Sequence, residues 1–130
     1  MRPTRVLVVE DCPDTAATLA ILLRHWGHET CEAHSGPDAM LAACEFDPDV
    51  AILDIGLPKM DGFELAAHMR REHGKSLVLV ALTGYATDEF RERSYRAGFD
   101  HFLVKPIVPD TLKELLAGEL PAQVSLLNSA

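Results

Sequence analysis

Cysteines are few in this sequence of 130 residues, and their spacing suggests no shared site. The three of them, Cys12, Cys31 and Cys44, are odd in number and lack the CxxC spacing of zinc sites. Neither a disulfide framework nor a cysteine-based zinc site is therefore indicated. This cysteine usage fits a protein that works in a reducing cytoplasm, which is the location that we expect.

Positive charge is also scarce. Lysine and arginine together number 12, against 20 aspartates and glutamates, so the formal net charge is -8. A protein with this charge repels a phosphate backbone at long range. We therefore expect no direct contact between this chain and nucleic acid.

Long apolar runs are missing, and no stretch approaches the length of a membrane span. The N-terminal segment 1–5, which contains two arginines, is followed by only four apolar residues, Val6 to Val9, before Glu10 and Asp11 interrupt the run. Such a run is too short for a signal peptide. The sequence therefore predicts no membrane partner.

The chain does contain short strand-like runs that alternate with helical patterns. The runs cover residues 6–9, 29–33, 50–54, 77–82 and 101–104. Strands this apolar, alternating with five helices, predict an α/β fold: a doubly wound, flavodoxin-like parallel sheet in the order 2-1-3-4-5. The length is that of one domain, which we expect at residues 5–117, with a tail or linker at 118–130.

Polar residues stand where four of these strands end. They are Glu10 with Asp11, then Asp54, Thr83 and Lys105. The carboxyl ends of parallel strands share one edge of the sheet, which is where ligands bind in such folds. We therefore expect these residues, far apart in the chain, to meet in one crevice.

A cluster of three carboxylates predicts a metal site, because the carboxylates repel one another unless a cation or protons intervene. A hard divalent ion with oxygen ligands resolves the repulsion, and we expect this ion to be Mg²⁺. We expect direct coordination by Asp11 and Asp54, a further ligand from the backbone carbonyl of Gly56, and Glu10 acting through water.

The remaining polar groups suit phosphoryl chemistry at Asp54. Lys105 is a compact positive charge for a phosphoryl oxygen or for Asp54 itself, and the hydroxyl of Thr83 can donate to the same oxygen. Phosphoryl transfer depends mainly on positioning and charge neutralisation. Asp54 would then be the nucleophile, and the product would be an acyl phosphate.

Over roughly residues 5–117 the sequence resembles the receiver domains of the two-component response-regulator family. The resemblance rests on four motifs together, each of which is weak alone. They are Glu10-Asp11, the segment from Leu53-Asp54 through Pro58 to Asp61-Gly62, the turn Leu82-Thr83-Gly84, and Lys105-Pro106.

The resemblance implies that Asp54 accepts a phosphoryl group from the phosphohistidine of a histidine kinase or phosphotransfer protein, with Mg²⁺ at the acidic pair. It further implies that Thr83 and Phe102 form a switch pair, and that the bond between Lys105 and Pro106 is cis. The switch would change the surface of the fourth helix, fifth strand and fifth helix for a downstream output protein. Such a protein is a phosphoacceptor rather than an enzyme, with only Mg²⁺-dependent self-phosphorylation from phosphodonors and slow self-dephosphorylation.

The sequence departs from the commonest family pattern at four positions. Glu10 stands where Asp is more usual, and Phe102 where Tyr is frequent. Gly56, two residues after Asp54, cannot position an attacking water, whereas Tyr85, two residues after Thr83, could shield the phosphoryl group. These last two residues predict slow loss of the phosphate.

Other functions fit the residues less well. A phosphohydrolase with an Asp nucleophile would carry a second Asp where Gly56 stands, and a flavin carrier would need a hydroxyl- and glycine-rich loop at residues 10–13. Two alternatives stay open. The chain could be a receiver-like interaction module that works without phosphorylation, or the receiver piece of a hybrid histidine kinase.

Overall fold

The computed structural model describes residues 4–55, 61–84 and 87–119. Strands and helices alternate along the chain. The strands are β1 (Arg5–Val9), β2 (Glu29–Ala33), β3 (Val50–Asp54), β4 (Val78–Thr83) and β5 (His101–Val104). The helices are α1 (Pro13–His25), α2 (Gly36–Phe46), α3 (Gly62–His73), α4 (Asp88–Ala97) and α5 (Pro109–Glu119), with a short 3₁₀ turn, Gly74–Ser76, after α3.

The strands form one parallel sheet in the order β2-β1-β3-β4-β5, so the predicted fold and strand order are confirmed. The central strand β3 is buried along its whole length. Its apolar side chains cannot face water on either side, which is why helices cover both faces of the sheet.

Two apolar clusters hold the helices to the sheet, one on each face. On one face Leu19 and Leu23 of α1 and Leu112 of α5 pack against Val8 and Ile52. On the other face α2 and α3 pack against the alternate residues of the same strands, and α4 adds Phe90 and Ala97 at the margin. Successive residues of a strand point to opposite faces, so each strand serves both clusters.

Local signals begin and end the helices. The side chains of Ser35 and Thr87 accept hydrogen bonds from backbone N–H groups in the first turns of α2 and α4. Gly27, just after α1, has φ +93°, a left-handed conformation that glycine adopts without strain. These caps satisfy backbone groups that the helix itself leaves unpaired.

Helix α5 continues to Glu119, and residues 120–130, the rest of the expected tail, lie outside the described residues. Within the described ranges, no helix is long and apolar enough to cross a membrane.

Candidate functional site

The carboxyl ends of β1, β3, β4 and β5 bring the polar residues together at one edge of the sheet. Asp54 is the last residue of β3 and is 7% exposed, while Thr83 ends the neighbouring β4 and is 4% exposed. Glu10 directly follows β1 and is 2% exposed. Lys105 directly follows β5, and its backbone N–H donates to the carbonyl of Thr83 (2.7 Å).

Lys105 connects two of the buried carboxylates. Its Nζ donates to Asp54 Oδ2 at 2.9 Å and to Glu10 Oε1 at 3.2 Å. Burial lowers the pKa of Lys105, but the hydrogen bonds and charges of Asp54 and Glu10 outweigh burial and raise it above its usual value. Lys105 therefore stays positively charged at neutral pH, directly beside Asp54.

The carboxylates of Glu10, Asp11 and Asp54 form a group that could hold a metal ion. One oxygen from each lies within 4.8 Å of the others. The donors are all hard oxygens, which suits a divalent ion of the Mg²⁺ or Ca²⁺ type. Asp11 is exposed and the other two are buried, so an ion would enter from the Asp11 side.

The crowding of acids around Glu10 changes its titration. Burial, followed by the neighbouring Asp54 and Asp11 carboxyl groups, raises the pKa of Glu10 from 4.5 to about 7, although Lys105 acts in the opposite direction. Near neutral pH, a proton or a cation is therefore needed to relieve the repulsion between these acids.

We predict that this titration makes the metal-free protein less stable as the pH rises from about 4.5 to about 7. Glu10 keeps its proton in the folded protein over this interval and loses it in the unfolded chain. Glu10 therefore makes its full contribution to the free energy of unfolding below its pKa in the unfolded chain. This contribution is lost as the pH rises through its pKa in the folded protein, and the loss is as much as ~3 kcal/mol.

Urea unfolding in a chelating buffer across this pH range measures the effect. Because other groups also titrate there, the informative quantity is the difference between the wild type and Glu10→Gln, which cannot ionise. The variant should show the flatter profile, and saturating Mg²⁺ should flatten the wild-type profile. Equal slopes for the two proteins without metal would contradict the prediction.

The residues expected to form a switch lie on the same side of the sheet. Phe102 is paired with Ala81, two residues before Thr83 on β4, so both side chains belong to the face covered by α2, α3 and α4. Phe102 is half-buried, and the guanidinium carbon of Arg91 lies 5.7 Å from the centre of its ring. The bond between Lys105 and Pro106 is cis, as expected.

Two residues discussed from the sequence, Gly56 and Tyr85, lie outside the described residues. The structure adds His34, which the sequence did not single out. Its Nδ1 lies 3.0 Å from the backbone carbonyl of Glu10 and acts as the donor there, since a carbonyl only accepts. No motif marks this contact, because it joins the ends of two strands that become neighbours only in the folded sheet.

Gly62, the first residue of α3, is packed tightly beneath Asp54. A Cβ atom built on it would lie 2.6 Å from the Cα of Ile55 and 3.0 Å from the backbone oxygen of Asp54. The N–H of Gly62 donates to the carbonyl of Ile55 at 3.1 Å. The start of α3 is thus held directly against the strand end that carries Asp54.

We predict that Gly62→Ala lowers the free energy of unfolding by about 2–3 kcal/mol, because the added methyl group meets backbone that cannot move aside. Gly84→Ala is the matched control, since a Cβ there meets nothing within 4 Å. Urea unfolding of both variants measures the difference. Equal losses for the two would show that Gly62 is not tightly packed in solution.

A surface cavity of about 670 Å³ opens beside the site, between α1 and the segment that joins β5 to α5. Glu10 and Lys105 lie at its polar end. Leu19, Leu22 and Ile107 are among the apolar residues that line it. The cavity was not predicted, because its walls come from two parts of the chain that are distant in sequence.

Comparison with known proteins relates the chain to one family. A family model described as "Response regulator receiver domain" matches residues 6–117. The chain is 36% identical to an uncharacterized 14.6 kDa protein of Leptolyngbya boryana, over 85% of the chain and 86% of that protein. It is 34% identical to the sensor histidine kinase RcsC of Salmonella typhimurium, over 86% of the chain but 12% of RcsC. It is also 34% identical to the DNA-binding response regulator MtrA of Mycolicibacterium smegmatis, over 87% of the chain and 47% of MtrA.

Solved structures of similar proteins support the same relationship. The chemotaxis protein CheY4 of Vibrio cholerae aligns with a TM-score of 0.83 and 29% identity, over 88% of this chain and 97% of CheY4. The response regulator TrrA of Thermotoga maritima, solved in complex with Mg²⁺ and BeF, aligns with a TM-score of 0.77 and 32% identity, over 88% of this chain and 96% of TrrA.

Proposed function

The chain belongs to the response regulator receiver family, and from that premise we propose that Asp54 accepts a phosphoryl group from the phosphohistidine of a histidine kinase or phosphotransfer protein. Receiver domains are phosphoacceptor switches rather than conventional enzymes. The observation that carries the proposal is the contact of Lys105 Nζ with Asp54 Oδ2 at 2.9 Å, within a group of three carboxylates. This arrangement presents one carboxylate beside a fixed positive charge.

The transfer step follows from this geometry. A carboxylate oxygen of Asp54 forms a bond to phosphorus while the bond from phosphorus to the donor nitrogen breaks. The donor imidazole leaves with the electron pair of that bond, and the product is an acyl phosphate on Asp54. Lys105 and the hydroxyl of Thr83 are the groups that would bind the transferred phosphoryl oxygens.

We propose Mg²⁺ as the cofactor, held by Asp11 and Asp54, with Glu10 acting through water and the carbonyl of Gly56 as a further ligand. The hard oxygen donors support this choice, and TrrA, a relative in the same family, was solved with Mg²⁺ and BeF. When bound, the ion would neutralise negative charge on the phosphoryl oxygens. With it, small phosphodonors such as acetyl phosphate should phosphorylate Asp54 without a kinase.

Phosphorylation would change the surface that the domain presents to its partner. A phosphoryl group on Asp54 would draw the hydroxyl of Thr83 towards it and leave space into which Phe102 turns. The surface of α4, β5 and α5 would then repack, as a shift between two populations that differ in their contacts. A partner protein that binds one of the two surfaces reads the signal.

Several wider features belong to the same proposal. The domain spans residues 5–117 and works in the cytoplasm, and residues 118–130, of which the first two still belong to α5, form a tail or linker. The chain covers 86% of the Leptolyngbya boryana protein but about half of MtrA and an eighth of RcsC, so both a stand-alone regulator and the receiver piece of a hybrid kinase fit the likeness. MtrA is a DNA-binding response regulator, whereas the net charge of this chain, -8, favours a protein as its direct partner.

The proposal is tested by incubating the chain with acetyl phosphate and Mg²⁺ and measuring its intact mass. A gain of one phosphoryl group supports phosphorylation. No gain, under conditions that phosphorylate another receiver domain, would favour the alternative of an interaction module that works without phosphate.

We also predict that the phosphorylated chain loses its phosphate slowly. Gly56 offers no side chain to position an attacking water, and Tyr85 would shield the phosphoryl group. Decay of the labelled protein after removal of acetyl phosphate measures the lifetime. A lifetime of about a few seconds would contradict the prediction, and Gly56→Asn, which supplies an amide near the phosphoryl group, should shorten it.

A further inference from the structure

Helix α4 is held to the body of the domain by few apolar contacts. Ser94 is its buried residue, and its hydroxyl donates to the carbonyl of Phe90 within the same helix. Phe90 and Ala97 are half-buried and pack at the margin of the apolar cluster on that face. Polar side chains must therefore contribute to the position of this helix.

Arg93 of α4 reaches across to the start of α3. Its guanidinium carbon lies 4.3 Å from the centre of the Phe63 ring, within the range of a cation–π interaction. Its Nη2 lies 3.6 Å from Asp61 Oδ2. Phe63 is 8% exposed and is also in ring contact with Phe90 at 6.3 Å between centres.

The two partners of Arg93 flank Gly62, the residue packed against the strand end of Asp54. Asp61 begins α3 as its cap, and its Oδ1 accepts from the N–H of Phe63 at 2.8 Å. Because Gly62 packs against the backbone of Asp54 and Ile55 with no room even for a Cβ atom, a displacement of that backbone would reach Asp61 and Phe63. Arg93 is in contact with both of them.

We infer that Arg93 is a positioning residue that links α4 to Asp54 through the start of α3. This route is separate from the one through Thr83 and Phe102, and it rests on the proposed function of Asp54 as phosphoacceptor. The contacts of Arg93 occur together with the hydrogen bond from Lys105 to the Asp54 carboxylate. They therefore stabilise the arrangement of α4 that accompanies a free carboxylate, and their loss favours the arrangement that accompanies phosphorylation.

The size of the effect follows from the exposure of Arg93. Its side chain is 60% exposed, so its ring contact belongs to the weaker, solvent-exposed class and its ion pair with Asp61 adds little. Removing these contacts should therefore tighten the binding of a phosphoryl analogue at Asp54 by about two- to fivefold.

The test compares Arg93→Met, which keeps the aliphatic stem and removes the guanidinium, with Arg96→Met. Arg96 lies on the same helix and pairs with Glu92 within it, so its replacement makes the same change in net charge but leaves the contacts of Arg93 with Phe63 and Asp61 in place. Beryllofluoride with Mg²⁺ is the probe, and its dissociation constant is measured for each protein. Amide resonances of α4 are recorded before and after the addition.

We expect Arg93→Met to bind the probe about two- to fivefold more tightly than the wild type. Before addition, its α4 resonances should already be displaced along the line that joins the free and bound positions of the wild type. A purely structural loss would not move them in that direction. Arg93→Lys, which keeps a cation near Phe63 and Asp61, should restore most of the wild-type behaviour, and Arg96→Met should match the wild type.

The inference fails if Arg93→Met and Arg96→Met bind the probe with equal dissociation constants. It also fails if the α4 resonances of Arg93→Met do not lie on the line that joins the free and bound positions of the wild type. Its failure can be distinguished from that of the proposed function. If the wild type neither binds beryllofluoride nor gains mass from acetyl phosphate, both are wrong. If the wild type does both and only the comparison of variants is negative, the role of Arg93 alone is wrong.

Discussion

Asp54→Asn is expected to abolish phosphorylation of this chain by acetyl phosphate and Mg²⁺. Asparagine has nearly the same shape as aspartate but lacks the anionic oxygen that must attack phosphorus. The fold should survive, because the amide can still accept a hydrogen bond from Lys105 and its loss of charge reduces the repulsion from Glu10. Intact-mass measurement of the wild type and the variant, after equal incubation, checks the prediction.

The control for this experiment is Asp38→Asn on α2, an exposed acid at the first turn of a helix on the surface. It should gain the same mass as the wild type. If Asp54→Asn also gains a phosphoryl group, the acceptor is a different carboxylate, and peptide mapping should then be directed first at Asp11, the exposed member of the acidic group. That result would contradict the central assignment.

The second large effect is expected for Lys105→Met, which should slow phosphorylation by acetyl phosphate by a factor on the order of 100 or more. The replacement removes the cation that lies beside Asp54 and would meet the incoming phosphoryl oxygens. It also leaves Glu10 and Asp54 without the charge that offsets their repulsion, which should raise the pKa of Glu10 further. Methionine keeps much of the length and apolar character of the lysine stem.

The initial rate of mass gain at several concentrations of acetyl phosphate measures this effect. Lys75→Met, in the exposed turn that follows α3, is the control for the loss of one positive charge and should react at the wild-type rate. A decrease of less than about threefold for Lys105→Met would show that the amine contributes little to the transfer. Circular dichroism of both variants should confirm that each remains folded.

The order of the five strands and the five α-helices followed from local patterns. Strands β2 and β5 occur with the predicted bounds, and Ser35 and Thr87 cap their helices as side-chain acceptors. Such features depend on the alternation of apolar residues and on the chemistry of one turn, so neighbouring residues contain the necessary information. The 3₁₀ turn Gly74–Ser76 was not predicted, since a segment of three residues has no periodicity.

The residues of the candidate site could be predicted from the sequence for a related reason. Once the chain is known to form a parallel sheet, the residues after each strand must lie along one edge. That geometry brings Glu10, Asp11, Asp54, Thr83 and Lys105 to the same edge without knowledge of any side-chain position. Their chemical types then indicate a metal ion and a phosphoryl group.

Contacts between particular atoms required the folded chain. Lys105 donates to both Glu10 and Asp54, Gly62 packs under Asp54, and Arg93 lies on the ring of Phe63. No local pattern contains these distances, because each depends on strand register, on helix placement and on the rotamers that packing permits. The raised pKa of Glu10 has the same origin. The sequence shows that this residue is a glutamate, but the burial and the neighbouring acids that raise its pKa arise only in the folded molecule.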